Sequence, residues 1–526
     1  MLKKLLVSAL LLASANTIKA QTPTWATDIA PIVYDKCASC HHNGAIAPFA
    51  LMTYNNCVAH ADSIKWSTQN KIMPPWPPDP NYSRLAHERR LTDAEITKIK
   101  NWVDGGTPPG DLAQAPPQPV FNNNGDLPGN ADLTVQIPNF TSTANTSDVY
   151  QCFVIPSGLL TDKFITAFEA IPGNRGIVHH VLVYADTTGA CAALDAASPG
   201  PGYVNFGGVG SNSAILLGGW VPGGAPIQYP NNFGVRIPHN ADIVLQIHYP
   251  AGTAGEVDST KVRFFFAQNT VRDVYIVPVL NHLDNTVLSP FPLTIPANDT
   301  ATFTEHYNLT GFDISLLGIA PHMHLIGQNI KAFSVYQPTH DTSKIISIPK
   351  WDFHWQGFYL LPRIMRLRAG SDVYASAFYD NTTNNEDNPS SPPQTVSAGE
   401  STTDEMMLVY FVFALYQPGD ENIIIDSNVA LHTPATYYHG QQLFSPYPNP
   451  ASGQLVVKYY LEQGDACNIT LLDINGREVK KLAQNMQVSS GYHADTYTVS
   501  DLVPGVYTVQ LRTSERILTE KLIIQH

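Results

Sequence analysis

Charge is the scarcest ingredient of this sequence. Asp, Glu, Lys and Arg make up 14% of 526 residues, and the balance is 44 acidic to 30 basic. The formal net charge of −14 argues against nucleic acid or an anionic membrane surface as a main partner, because both reward clustered positive charge. Long apolar runs are missing too. The stretch from Leu5 to about Ala13 falls short of the roughly 18 residues a transmembrane helix needs, and no later run reaches that length. A disordered chain is equally excluded, since 44% of the residues are hydrophobic, enough for folded domains with real cores.

The length of 526 residues suggests three or four domains. Lys3 and Lys4, the apolar run behind them and Ala20 before Gln21 read as a signal peptide over residues 1–20. The mature chain is therefore expected to begin near Gln21, to work outside the cytoplasm and to keep no transmembrane segment. Composition breaks divide the remainder. Gly105–Pro119 is rich in Pro and Gly and leads into the Asn-rich Asn122–Asn130. A softer break lies at Ser289–Pro296, and another at Ser445–Pro450 after Gly440. Such Pro-rich stretches form neither ladders nor helices and mark linkers.

Helix signals concentrate in residues 21–110. Thr92 and Glu95 have capping-box spacing; Ile96, Ile99, Trp102 and Val103 follow at helical spacing, and Gly105-Gly106 ends the run. Beyond residue 130 the signals are those of β-sandwiches. Val178–Tyr184, Ile243–Tyr249, Val262–Phe266 and Leu408–Leu415 are short β-branched and aromatic runs separated by Gly, Pro and Asn.

Cysteine is limited to six residues, and two of them stand in Cys37-Ala38-Ser39-Cys40-His41. This is the attachment signature of a c-type haem, with both thiols adding to the haem vinyl groups and the next-door His41 ligating the iron. Met73, in a Pro-flanked loop, is the candidate for the other axial position, with His60 and His87 as rivals. A thioether there raises the reduction potential. The 25–110 segment resembles a small class I cytochrome c. Cys152 and Cys191 sit in one β-rich region and can pair in an oxidising compartment, whereas Cys57 and Cys467 have no obvious partner.

Eighteen histidines are present, and three groups of them fall in or beside expected strands. His322 and His324 are two apart, so a strand puts both on one face, where they can chelate one metal. Adjacent His179 and His180 point oppositely on a regular strand and share an ion only if the backbone bulges. His248 ends Gln246-Ile247-His248. Imidazoles suit copper, zinc, iron and nickel, and a thioether beside two of them biases a site toward Cu(I). Taken singly, each histidine is more often a satisfied side chain than a ligand.

Tyr150-Gln151-Cys152, His179-His180, Gln246-Ile247-His248-Tyr249, His322-Met323-His324 and Thr403-Asp404-Glu405-Met406 occur in this order. On these pieces the segment from about 131 to 436 resembles the copper type II, ascorbate-dependent monooxygenases. The resemblance implies two facing jelly-roll-like β-sandwiches with one copper each. His179, His180 and His248 would hold the electron-supplying copper; His322, His324 and Met406, with Met407 as neighbouring candidate, would hold the copper that activates dioxygen. It further implies a Cys152–Cys191 bond, Gln246 near the electron route and Tyr410 at the substrate. Peptide-amidating members carry an arginine where this chain has Ala320, which makes a C-terminal peptide an unsuitable substrate.

Residues 443–526 resemble the sorting domain of the type IX secretion system of Bacteroidota. The matching pieces are Tyr447-Pro448-Asn449-Pro450, Asp473–Val479, Leu502–Tyr507 and Lys521–Ile524. A small Ig-like β-sandwich is implied, with turns at Asn475-Gly476 and Pro504-Gly505.

The expected architecture is multidomain and mainly β: a signal peptide (1–20), an all-α cytochrome c-like domain (21–110), a linker (111–130), two copper-binding sandwiches (131–288 and 289–440) and the sorting domain (443–526). The expected function is an exported monooxygenase that hydroxylates a C–H bond of a small organic substrate with dioxygen. It would use two coppers and one covalent haem c, draw electrons from ascorbate or another donor, and engage the type IX secretion machinery. The alternative is a non-catalytic copper-binding or surface electron-transfer protein.

Overall fold

The structure, a computed structural model, describes residues 22–525 except 46, 122–124, 223, 340, 400, 431–441, 445, 462–463, 475, 490 and 515. The expected signal peptide and Asn475 lie outside the described residues.

Four short helices, Ala30–Lys36, Tyr54–Ala59, Ala61–Gln69 and Asp93–Asp104, gather around Trp25, Ile29, Val33, Ile99 and Trp102. The last helix starts where the capping box requires. Thr92 Oγ1 accepts from the Glu95 amide at 3.2 Å, and Glu95 Oε2 accepts from the Thr92 amide at 2.7 Å.

Between the third and fourth helices, Trp76–Arg90 leaves the helical core and lies along the second β-sandwich. The amide of Asp79 donates to Ser347 O, and that of Ala86 to Leu360 O, both at 2.8 Å. Leu85, 1% exposed, is part of that sandwich's core, and Trp76 stands edge-on to Tyr359. Arg89 reaches the first sandwich, donating to Pro222 O at 3.0 Å. The helical segment is thus docked on the β domains by a strap of its own chain.

The rest is β. In the first half, Tyr203–Val204, Val149–Pro156, Asp242–Tyr249, His180–Asp186 and Ile215–Trp220 form a five-stranded sheet in that order. In the second, Leu288–Ser289, Thr300–Leu309, Ser371–Asp380, Gly327–Tyr336 and Asp341–Ile348 form another. Each packs on its own end of one nine-stranded sheet. The joint is a parallel pairing of Phe233–Ile237 with Arg272–Asn281, and Arg272–Asn281 also pairs antiparallel with Leu408–Leu415.

Two separate sandwiches divided near residue 288 were expected. The shared sheet instead fuses them, and Leu317, Ile364, Val412 and Ala414 of the second half enter the core of the first. The break at Ser289–Pro296 falls after Arg272–Asn281 has already joined the second half. Strand Ile314–His322 is buried along almost its whole length, as befits a strand covered on both faces.

The tail forms a three-stranded and a four-stranded sheet around its own core, which includes Leu455, Val457, Ile469, Val509 and Leu511. Gln454–Leu461 alternates buried and less buried positions, the pattern of a strand with one face on a core. No helix among the described residues is long and apolar enough to cross a membrane.

Candidate metal centre

His179 and His180 share a site without a bulge, because the strand begins at His180. His179 belongs to the preceding turn, where the amides of Ile177 and Val178 donate to Asn174 O, and its own amide donates to His248 O at 2.9 Å. His180 and His248 are directly opposed on neighbouring strands, with Tyr150 opposite His248 on its other side. The side chains therefore share one face, and Tyr150 stacks on His248 with ring centres 4.3 Å apart.

The three imidazoles converge through Nδ1. His179 Nδ1 lies 3.3 Å from His180 Nδ1 and 3.1 Å from His248 Nδ1, and the ligand atoms all lie within 4.8 Å of one another. His248 Nε2 donates to Asp148 Oδ2 at 2.9 Å, which leaves its Nδ1 with a lone pair turned to the others. Lone pairs at these separations repel unless a proton or a cation lies between them, and the donor set suits a metal of the copper or zinc type. Burial pushes His179 down to about 4 and His180 well below the usual imidazole range, so both are neutral ligands at pH 7.

His322 closes strand Ile314–His322, and His324 follows two residues later, with ring centres 5.1 Å apart. Here the opposite nitrogens are open. His322 Nδ1 donates to Gln356 Oε1 at 2.5 Å and His324 Nδ1 to Asp404 O at 3.1 Å, so each Nε2 is free. Burial lowers His322 to about 4 and His324 to about 3.

Glu405, fully buried, ties this turn to the methionine segment. Its Oε1 accepts from the amides of both His324 and Met406, and burial raises its carboxyl to about 8. Met406 lines the same cavity as His322 and His324. Met407 points into the second core, with its backbone on His282. Asp148, Gln356 and Glu405 were not assigned these orienting roles from the sequence; the only signal was the acidic pair in Asp404-Glu405-Met406.

His180 of the first set and His322, His324 and Met406 of the second line one cavity of about 880 Å³, together with Gln246, Tyr410 and Ala320. Gln246, 2% exposed, donates to Asn205 O at 3.0 Å and to Gly208 O, so it holds the 205–208 loop that forms a wall. Ser39, inside the thiol motif, lines this cavity as well.

In that motif His41 Nδ1 donates to Phe49 O at 3.0 Å, leaving Nε2 open beside the part-buried Cys37 and Cys40, a donor set that fits covalent haem. Met73 is 39% exposed on the turn where its amide donates to Ser67 O, away from a buried axial position. His60 instead stacks on Phe49 at 3.8 Å, and Phe49 lies 5.0 Å from the His41 ring.

Cys152 and Cys191 are free thiols rather than the expected disulfide. They share a small core cluster, and each Sγ is directed at a carbonyl, Cys191 to Val209 O at 3.4 Å and Cys152 to Gly208 O at 4.0 Å.

Comparison with known proteins gives this arrangement a class. Residues 133–254 match the N-terminal domain of copper type II ascorbate-dependent monooxygenases, and residues 279–429 match the C-terminal domain. Two consecutive domains of one enzyme family thus cover the middle of the chain. The chain belongs to that family, with further segments on both sides, and the family implies copper, dioxygen and an electron donor. Residues 445–525 match a secretion system C-terminal sorting domain, which marks the protein as type IX secreted or cell-surface.

Among curated proteins, DBH-like monooxygenase protein 2 of Mus musculus is 26% identical over 288 residues, covering 50% of this chain and 43% of that protein. The match therefore spans less than half of that relative. Among solved structures, PNGase F, a glycosylasparaginase from Flavobacterium meningosepticum, is 11% identical, with 56% of this chain and 94% of that one covered and a TM-score of 0.18. A Parabacteroides merdae β-glucuronidase is 9% identical, with 45% and 30% covered and a TM-score of 0.14. These two likenesses are too weak to assign even a shared fold.

Proposed function

We propose that this protein hydroxylates a C–H bond of a small organic substrate, with one copper at His179, His180 and His248 and a second at His322, His324 and Met406. The observation that carries the reading is the opposite presentation of the two sets, converging Nδ1 atoms in one and Nε2 atoms left open by Nδ1 hydrogen bonds in the other, with His180 of the first and His322, His324 and Met406 of the second on the walls of a single cavity. The balance is R–H + O2 + 2e⁻ + 2H⁺ → R–OH + H2O. Bound copper supplies the one-electron steps and the activation of dioxygen. The chain would hold it with His179, His180, His248, His322, His324 and Met406, line the cavity with Tyr410 and keep the 205–208 wall in place through Gln246. Ala320 brings no cation to the cavity, so any grip on a substrate carboxylate would fall to Arg89 or Arg175, which line it as well.

The same reading gives the N-terminal segment a covalent haem c on Cys37, Cys40 and His41 that feeds electrons to the coppers, beside or in place of ascorbate. Its support is the strap Trp76–Arg90, which docks the segment, and Ser39, which brings the motif to the cavity.

The test is the copper-to-haem-iron ratio of copper-loaded, desalted protein, followed by dioxygen uptake with candidate substrates. Two coppers per haem are expected, falling to one in His180→Ala and in Met406→Ala. Negligible copper overturns the reading, and two coppers without a hydroxylated product leave a copper-binding or electron-transfer protein.

A further inference from the structure

One turn of the second half, Trp351–Phe358, touches both histidine sets. Gln356 accepts from His322 at 2.5 Å, and the Phe353 ring stands edge-on to His324 with centres 5.9 Å apart. Between these two residues, His354 faces the other way. Its ring is edge-on to His179 of the first half, with centres 5.8 Å apart and planes at 88°. The three imidazoles of the first set are themselves separated by 4.8 to 5.5 Å. His354 stands just outside their triangle.

We propose that His354 is a fourth imidazole for the metal at His179, His180 and His248, delivered from the opposite sandwich. The inference rests on the reading of that set as a copper site. His354 Nδ1 lies 3.3 Å from Asp352 Oδ1, so the carboxylate takes the Nδ1 proton and Nε2 keeps its lone pair. Asp148 does the same for His248 from the opposite nitrogen, and such carboxylate–imidazole pairs fix the tautomer and raise the basicity of metal ligands. The His354 side chain is 60% exposed, so the Asp352 hydrogen bond, rather than tight packing, orients its ring beside His179. Four imidazoles favour the tetragonal geometry of Cu(II), so the fourth ligand lowers the reduction potential of this site. It also makes copper a cross-link between the two halves, and the turn that carries His354 reaches a ligand of the second set through Gln356.

The experiment uses the full chain carrying His324→Ala, so that copper occupies only the first set, loaded with one equivalent of Cu(II). Pulsed electron paramagnetic resonance counts the remote imidazole nitrogens coupled to the metal. Four are expected, falling to three with His354→Ala or His354→Gln. Copper affinity should weaken about tenfold or more in both variants, and the reduction potential should rise. Three imidazoles with and without His354, at unchanged potential, would overturn the inference while leaving the copper site standing. Failure of the parent to retain any copper would overturn both.

Discussion

Neutral imidazoles around a cavity have a measurable signature. The folded chain holds His179 and His322 near 4 and His324 near 3, in each case through burial first. In the unfolded chain the same groups bind protons near 6.5. Folded values below the unfolded one mean that this contribution to stability is fully present above about 6.5 and is lost as pH falls toward 4 and 3. The apoprotein's melting temperature should therefore decline as pH falls from about 6.5 to 4, opposed in part by Glu405, whose raised carboxyl contributes stability that is lost as pH rises toward about 8. Scanning calorimetry over a pH series checks this, and a profile level down to pH 4 would contradict neutral, buried imidazoles. Copper should raise the melting temperature most at neutral pH, since it competes with protons for the same lone pairs.

His322 and His324 were legible as a candidate pair from their two-residue spacing, although the strand ends at His322 and contacts to Asp404 and Glu405 set His324. The parts played by Glu405 and Asp148 were not. Glu405 meets His324 across 81 residues and Asp148 meets His248 across 100, and no local pattern encodes a contact at that separation.

Strand ends and straps decided what periodicity could not. A regular strand would have split His179 from His180; starting the strand at His180 lets the turn before it aim His179 independently. The capping box at Thr92 and Glu95 was readable because its two partners are three residues apart. The strap Trp76–Arg90 was not, since a Pro-rich segment without periodicity carries no sign of the surface it will cover. Its anchor is Leu85. Leu85→Ala should cost about 2–5 kcal/mol, as for other buried Leu truncations, whereas Leu112→Ala, at 54% exposed, should change stability by less than about 0.5 kcal/mol. Urea titration followed through tryptophan fluorescence measures both; equal effects would mean that the strap does not seal the second core.

Across the whole molecule, two kinds of boundary behave differently. The tail has a core of its own, so a chain lacking residues 443–526 should fold, bind copper in the same ratio and fail to reach the cell surface. Cell fractionation with metal analysis of the retained protein tests this, and loss of copper binding on deletion would show that the tail supports the centre. The two central halves share a nine-stranded sheet and a mixed core, so neither should fold alone. Expression of residues 131–288 by themselves is expected to give aggregated or protease-sensitive protein, because Arg272–Asn281 would lose its pairing with Leu408–Leu415; a stable fragment would contradict the shared sheet.

Chain order and local chemistry determined the mainly β character, the capped helix, the thiol and imidazole motifs, and the family and sorting resemblances, since each depends on residues within a few positions or on motif order. The fused sheet, the docked strap, the carboxylates behind the ligands and the placing of His354 beside His179 came from packing. They join residues tens to hundreds of positions apart, and their geometry is set by which faces must be buried together, something that neither spacing nor composition records.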